Sequence, residues 1–431
     1  MFKINYPRGV IALSSIEMWE RFSFYTMQSL LVLYASAKIS AGGLGWSDAS
    51  ALRLVGYYGA LVYVSPIIGG LIADRIIGRK LAVFFGAIIM MCGHATLVVH
   101  GETALYIGLA LLITGCGLLK PAISAMVGEF FTAKESSRKD ASFAIFYMSI
   151  NIGGFLGPMI GGIVQQQFSF EYAFVLAAFG LFIGVINFLI TRNHSLRHVG
   201  NVIDKTKQIK EPWTKNEKTK ATVYILLCIS NIFWNVIYVL PYGLLTLYAE
   251  KNIDRHIGSF EIPSTWFFGM YGLLIIIYSP IVATLYQKYR QRTGKDMTLS
   301  FKLSMGYLLV ALGSFVLLPL VKAIGANSHY IGSAWYIIGF YSLFSFSELL
   351  TLPVMLAAAT TFAPKNFSAT MVSLNMAISW AIGAWLGGEF GAMTEQTNPA
   401  TLFWWVIGLS IVFAIGHLLT NKKIEQTLLL D

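Results

Sequence analysis

Charge is what this chain has least of. Asp, Glu, Lys and Arg make up 12% of its 431 residues, where a soluble domain carries about 25%. Acids are the scarcer sign, 21 Asp and Glu against 31 Lys and Arg, and long polar segments are missing apart from one between Arg192 and Lys220. With 56% hydrophobic residues and a mean hydropathy of +0.65, the chain reads as an all-α integral membrane protein. Cysteines number three. Cys92, Cys116 and Cys228 fall in apolar stretches with no CxxC or metal-ligand spacing, which argues against a disulfide framework and predicts buried free thiols. Nucleophile elbow and phosphate loop are absent in any usable context, so no enzyme, cofactor or metal is implied. No cleavable signal peptide is evident: the first apolar stretch is too long, carries charges, and reads as a retained span.

What is present is repetition. About twelve apolar stretches of roughly 20 residues recur, the first near 10–36 and the last near 400–420, each long enough to cross a bilayer. The basic segment 192–220 divides them six and six, into bundles 1–191 and 221–431. Most of the Lys and Arg fall in alternate connections, leaving Lys38, Arg53, Lys251, Arg255 and Lys322 on the other side. That bias predicts both termini in the cytoplasm of a cell, bacterial inner membrane being the expected site, and explains the net charge of +10 without nucleic acid as a partner.

Against this apolar background, Glu17, Glu20 and Arg21 stand inside the first span. Charge in a spanning helix costs about 2.5–3.5 kcal/mol per group on insertion scales, so it normally faces a partner or a water-filled path. Three- and four-residue spacings put the trio on one helical face, with Tyr25 a turn further on. Arg21 and Lys120 are the deep bases, and Glu17, Glu20 and Glu348 the deep acids. Ionised together they would leave a net negative cavity, so one carboxylate is expected to carry a proton, Glu17 or Glu20 being the better candidates.

After the second span, Asp74-Arg75 and Gly78-Arg79-Lys80 form a short loop of acid, base and glycine. Positive-inside anchoring alone would not require Asp74 or the glycines. The loop is similar to the signature of the major facilitator superfamily, which implies a latch at the cytoplasmic helix ends made by Asp74, Arg75, Gly78 and Arg79. More specifically, the chain resembles the proton-dependent oligopeptide transporter family. Its first-span motif ExxERFxYY is met by Glu17, Glu20, Arg21, Phe22, Phe24 and Tyr25, with Phe24 replacing the first tyrosine. Val62-Tyr63 precedes a glycine pair in the second span. Lys120-Pro121-Ala122-Ile123-Ser124 is close to KPNIS, Phe146-Tyr147 through Asn151 and Gly153 matches FYxxINxG, and Ser347-Glu348 and Ala363-Pro364-Lys365-Asn366-Phe367 resemble later signatures.

The resemblance implies a major facilitator fold of two six-helix bundles, a substrate site between the halves, and a symporter importing di- or tripeptides or peptide-like zwitterions with protons. By the same resemblance Arg21 and Lys120 attract the substrate carboxylate, Glu348 its ammonium, and Tyr25, Tyr63 and Asn151 hydrogen-bond the backbone. Trp234, Tyr238, Phe268, Tyr271 and Asn375 fall at pocket positions. The departures concentrate there: Tyr238 replaces a glutamate whose basic partner is here Gln28, and Phe268, Tyr271 and Asn375 replace glutamine, asparagine and tryptophan. Losing both members of an ion pair avoids stranding one charge. The linker has no apolar run for the two extra helices common in bacterial relatives, so twelve spans are expected. A transporter of a non-peptide amphiphile, such as a siderophore-like or modified amino-acid compound, is the first alternative, and a non-transporting membrane sensor the second. The expected partners are a zwitterionic small molecule, protons and the bilayer, with the chain a monomer.

Overall fold

The computed structural model describes residues 6–131, 135–201, 213–364 and 367–428. The middle of the linker and Lys365-Asn366 of the later motif lie outside these residues. Eleven helices among them are long and apolar enough to cross a membrane. Helix α1, Arg8–Ser36, adds a further long one, set apart by Glu17, Glu20 and Arg21 in its interior. In order follow α2 (Asp48–Ile72), α3 (Arg79–Leu97), α4 (Glu102–Gly128), α5 (Ser136–Gln167) and α6 (Phe170–Thr191). After the linker come α7 (Lys215–Tyr238), α8 (Leu244–Asn252), α9 (Thr265–Thr293), α10 (Leu299–Ala326), α11 (Trp335–Thr361), α12 (Ser368–Asn375), α13 (Ile382–Ala392) and α14 (Pro399–Leu428). A two-strand hairpin, β1 His256–Ile257 with β2 Phe260–Glu261, lies between α8 and α9.

The chain resolves into two compact units. One joins the residues up to Ser47 with those from Leu61 into the linker; the other joins Asp48–Ala60 with the described residues from Trp213 onward. Helix α2 therefore contributes to both. Helices form throughout because an apolar backbone in lipid must satisfy its polar groups within its own segment. Entry into α7 from the linker is fixed by a capping box, the Thr214 hydroxyl accepting from Glu217 N and the Glu217 carboxylate accepting from Thr214 N. Prolines 66, 121, 158, 280, 319 and 353 sit inside helices, each removing one intrahelical donor. Cys116 and Cys228 are buried as expected, but Cys92 is exposed on α3, since an apolar helix face in lipid need not be covered by protein.

In the first unit α1 packs against α5 and α6. The approach of α1 to α5 is set by Gly153, where a Cβ would come within 2.8 Å of the Arg21 Cβ. The glycine of the FYxxINxG motif is thus what allows the charged turn of α1 to lie against α5. Gly153→Val is expected to lower thermal stability of the purified protein by the overpacking cost, about 1–3 kcal/mol. Gly408→Val, at a position with nothing within 4 Å, should leave the melting temperature unchanged; equal effects would remove the close-approach role.

Candidate functional site

Each unit carries its own polar grouping inside an apolar surround. In the first unit Glu17, Glu20 and Arg21 are each only 1% exposed on α1. Arg21 donates through Nε and Nη2 to both carboxylate oxygens of Glu20, and its Nε lies 3.5 Å from Glu17 Oε1. The adjacent residue, and not the helical i+4 partner, takes the two-pronged bond. Among the described residues the buried Glu17 Oε2 has no hydrogen-bond partner. One guanidinium is shared between two carboxylates, and one carboxylate oxygen is left over.

The cations are placed by an aromatic ring. Arg21 Cζ lies 4.5 Å from the centroid of Phe24, and Lys120 Nζ on α4 lies 5.9 Å from the same centroid. Cation–π contacts of this kind are worth about 0.5–2 kcal/mol, more where water is excluded. Phe24, noticed in the sequence only as a changed tyrosine, is the shared surface for both bases. Tyr25 is half-buried with its ring 5.8 Å from Arg21 Cζ. Tyr63 is half-buried on the part of α2 that belongs to this unit, and Asn151 on α5 donates to the Tyr147 carbonyl at 2.9 Å. A further buried pair, Ser23 with His94 Nε2 at 2.7 Å, was not singled out beforehand. Its only signal was a lone histidine inside the third apolar stretch.

The second unit presents the opposite chemistry, one acid among rings. Glu348 on α11 is 4% exposed, and its Oε2 has no hydrogen-bond partner among the described residues. One turn earlier Phe344 stacks on Trp234, 5.2 Å between centroids, and on Tyr271 at 5.8 Å. Phe268 stacks on Tyr271 at 6.2 Å. Tyr238, at the end of α7, packs edge-on against Trp380 at 5.0 Å. Trp234 is fully enclosed and donates to Ser347 Oγ at 3.0 Å, which in turn donates to the Gly306 carbonyl at 2.8 Å. Asn375 is also fully enclosed: its Oδ1 accepts from Ser379 Oγ at 2.8 Å, and Cys228 Sγ lies 3.7 Å away. The chain then makes a π-helical turn, Met376–Ala381, before α13. The structure brings Trp234, Tyr238, Phe268 and Tyr271 into one continuous ring cluster and keeps Asn375 in a separate polar contact.

At the end of α2 a π-helical turn, Ala73–Ile77, leads into Gly78, whose φ of 82° and ψ of 151° are strained for any residue with a side chain. Arg79 then bonds Asp74 at 2.7 Å and also Glu129 at the end of α4. Glu129 Oε2 accepts from the backbone of Gly200, and Lys80 Nζ donates to the Arg197 carbonyl. The start of the linker is therefore tied to the loop. Arg75 is exposed and stays outside this network. Glu129 was missed, although an acid at the end of a span on the otherwise basic side was there to be noticed.

Comparison with known proteins finds relatives over nearly the whole chain. The family model described as the POT family matches residues 80–216 and 199–406. An uncharacterized transporter, YclF, of Bacillus subtilis (strain 168) is 32% identical over 98% of this chain and 95% of its own length. A di-/tripeptide transporter of Lactococcus lactis subsp. cremoris is 30% identical over 90% of each. A crystal structure of a peptide transporter POT in complex with sulfate superposes with a TM-score of 0.89 at 29% identity, covering 99% of this chain and 96% of that one.

Glu129→Gln removes a charge from a carboxylate that serves both Arg79 and Gly200, and is expected to destabilise the protein by about 1–3 kcal/mol. Thermal unfolding compared with Arg75→Gln, expected to be near neutral, checks it.

Proposed function

We propose that this chain, which belongs to the POT family, is a symporter that imports di- and tripeptides or related zwitterions with protons by alternating access. It takes the major facilitator fold as two six-helix bundles, with the linker between them and both termini on the cytoplasmic side. The observation that carries the proton-coupled reading is the enclosed trio on α1: two carboxylates three residues apart, one guanidinium between them, and a Glu17 oxygen with no partner. Two negative charges sharing one positive charge in a dry site favour uptake of a proton by one of them. Binding or release of that proton changes what Arg21 is held by.

Substrate ends are recognised by charge. Arg21 and Lys120, held against Phe24, attract a carboxylate, and Glu348 attracts an ammonium. Tyr25, Tyr63 and Asn151 supply hydrogen bonds between, and the rings of Tyr238, Phe268 and Tyr271 give the ammonium end an apolar wall. By the family resemblance Phe268 and Tyr271 in that wall replace amide side chains and Tyr238 a glutamate, which favours substrates with a large apolar or aromatic group beside the ammonium. The proton is the sole coupling ion in this reading, and the monomer the working unit.

Glu17→Gln and Glu20→Gln are expected to abolish pH-gradient-driven uptake in proteoliposomes while substrate counterflow, which needs no net proton movement, is retained. Proton-driven uptake at the wild-type rate in the double substitution would falsify the assignment. Terminal recognition is checked separately. Glu348→Gln should not change binding of an N-acetylated dipeptide relative to wild type, and Lys120→Ala should not change binding of a C-amidated one. Zwitterionic dipeptides should lose affinity in both, by roughly the 1.5–3 kcal/mol of a hydrogen bond to a charged group.

A further inference from the structure

At the end of the second unit where α9 joins α10 lies a cavity of about 300 Å³ that no part of the transport reading uses. Its lining is apolar along α11, from Leu349 through Pro353 and Val354, and is closed by Leu428 of α14. Two polar groups enter it from the flanking helices. Lys302 of α10 is half-buried, and its Nζ lies 4.7 Å from the centroid of the Tyr286 ring of α9. The Tyr286 hydroxyl is buried and has no hydrogen-bond partner among the described residues. No carboxylate of the described residues forms an ion pair with Lys302, although Asp296 of the preceding loop, 3.6 Å from Arg290, and Glu425 of α14 both act on it electrostatically from farther away.

We infer that this cavity is a binding site for an anionic glycerophospholipid, its phosphate bound by Lys302 Nζ and the Tyr286 hydroxyl and an acyl chain lying along α11. The dimensions fit one leaflet. The lining runs along α11 from Thr361 to Leu349, about 18 Å at 1.5 Å per residue, against about 15 Å for half of a 30 Å hydrocarbon core. The charge also fits. An ammonium with no direct ion-pair partner and a donor hydroxyl at the aqueous end, with hydrocarbon beyond, match a phosphodiester joined to an acyl chain, whereas a soluble anion has no use for the apolar length. The inner-leaflet position rests on the proposed orientation of the chain, but the binding chemistry does not.

The test uses the purified full chain and is independent of transport. Native mass spectrometry and thermal unfolding are measured with phosphatidylglycerol, phosphatidylcholine and inorganic phosphate. Phosphatidylglycerol is expected to bind and raise the melting temperature, phosphatidylcholine to bind much less, and phosphate alone to have no effect. Lys302→Gln should lower phosphatidylglycerol affinity at least about tenfold, the worth of one charge-assisted hydrogen bond, and Tyr286→Phe about three- to tenfold. Lys302→Arg should keep most of it. Ala357→Trp, which fills the cavity and leaves both polar groups in place, should abolish binding, so the proposal stays testable if a Lys302 variant folds poorly. Wild-type affinity in Lys302→Gln, equal binding of phosphatidylcholine, or full stabilisation by phosphate alone would each overturn it.

Discussion

A guanidinium and two carboxylates held away from water are the constraint on which the first unit is built. Ions of this size lose several kcal/mol each on leaving water, and the loss is recovered only with close partners. Each neighbour of the trio answers that requirement. Gly153 lets α5 come close behind Arg21, Phe24 offers its ring face to the guanidinium, and the Glu20 carboxylate takes both prongs of the fork. The arrangement is tight around Arg21 and incomplete around Glu17. That inequality is what the proposed proton exchange rests on, since a fully satisfied pair would have nothing to gain from a proton.

The second unit solves a different problem. Its acid has no cation within the described residues, and its surroundings are rings stacked on one another from Tyr271 through Phe344 to Trp234. Aromatic faces carry partial negative charge, so they tolerate an incoming ammonium better than they tolerate a carboxylate. A cation brought by a substrate would meet attraction from both. In the proposed site, Phe268 and Tyr271, at positions where the family resemblance implies amides, would strengthen the aromatic share of that attraction and offer less hydrogen bonding to a plain peptide backbone.

Much of this was legible in the sequence, for one reason: the price of charge in lipid is high enough to make every intramembrane ion stand out. Glu17, Glu20, Arg21, Lys120 and Glu348 were visible on that ground, as was the alternation of helices and connections. What was not legible depended on contacts between distant segments. The pairing of Arg21 with its neighbour Glu20 in preference to Glu17, four residues away, follows from side-chain directions that spacing does not determine. Glu129 joined the loop after α2 because α4 ends beside it, and Ser23 met His94 across two helices. Near 367–393 hydropathy shows a single span, but the chain divides it into α12, a π-helical turn and α13. A period of 3.6 carries no mark of one widened turn.

Helix α2 has a mechanical consequence. Its first half is fastened within the second unit by Arg53 to Glu389 at 3.0 Å and by Asp48 to Lys251 at 2.6 Å, while its second half is counted with the first unit. A continuous helix is a stiff rod, and stiffness is lost where the hydrogen-bond ladder is interrupted. Here that happens at Pro66, which cannot donate to Val62, and again in the π-helical turn after Ile72. Compliance is thus concentrated in the half beyond residue 60. A load on the rod would be transmitted rigidly through Asp48–Ala60 and taken up as bending near Pro66, so the helix works as a lever with its hinge built into one arm.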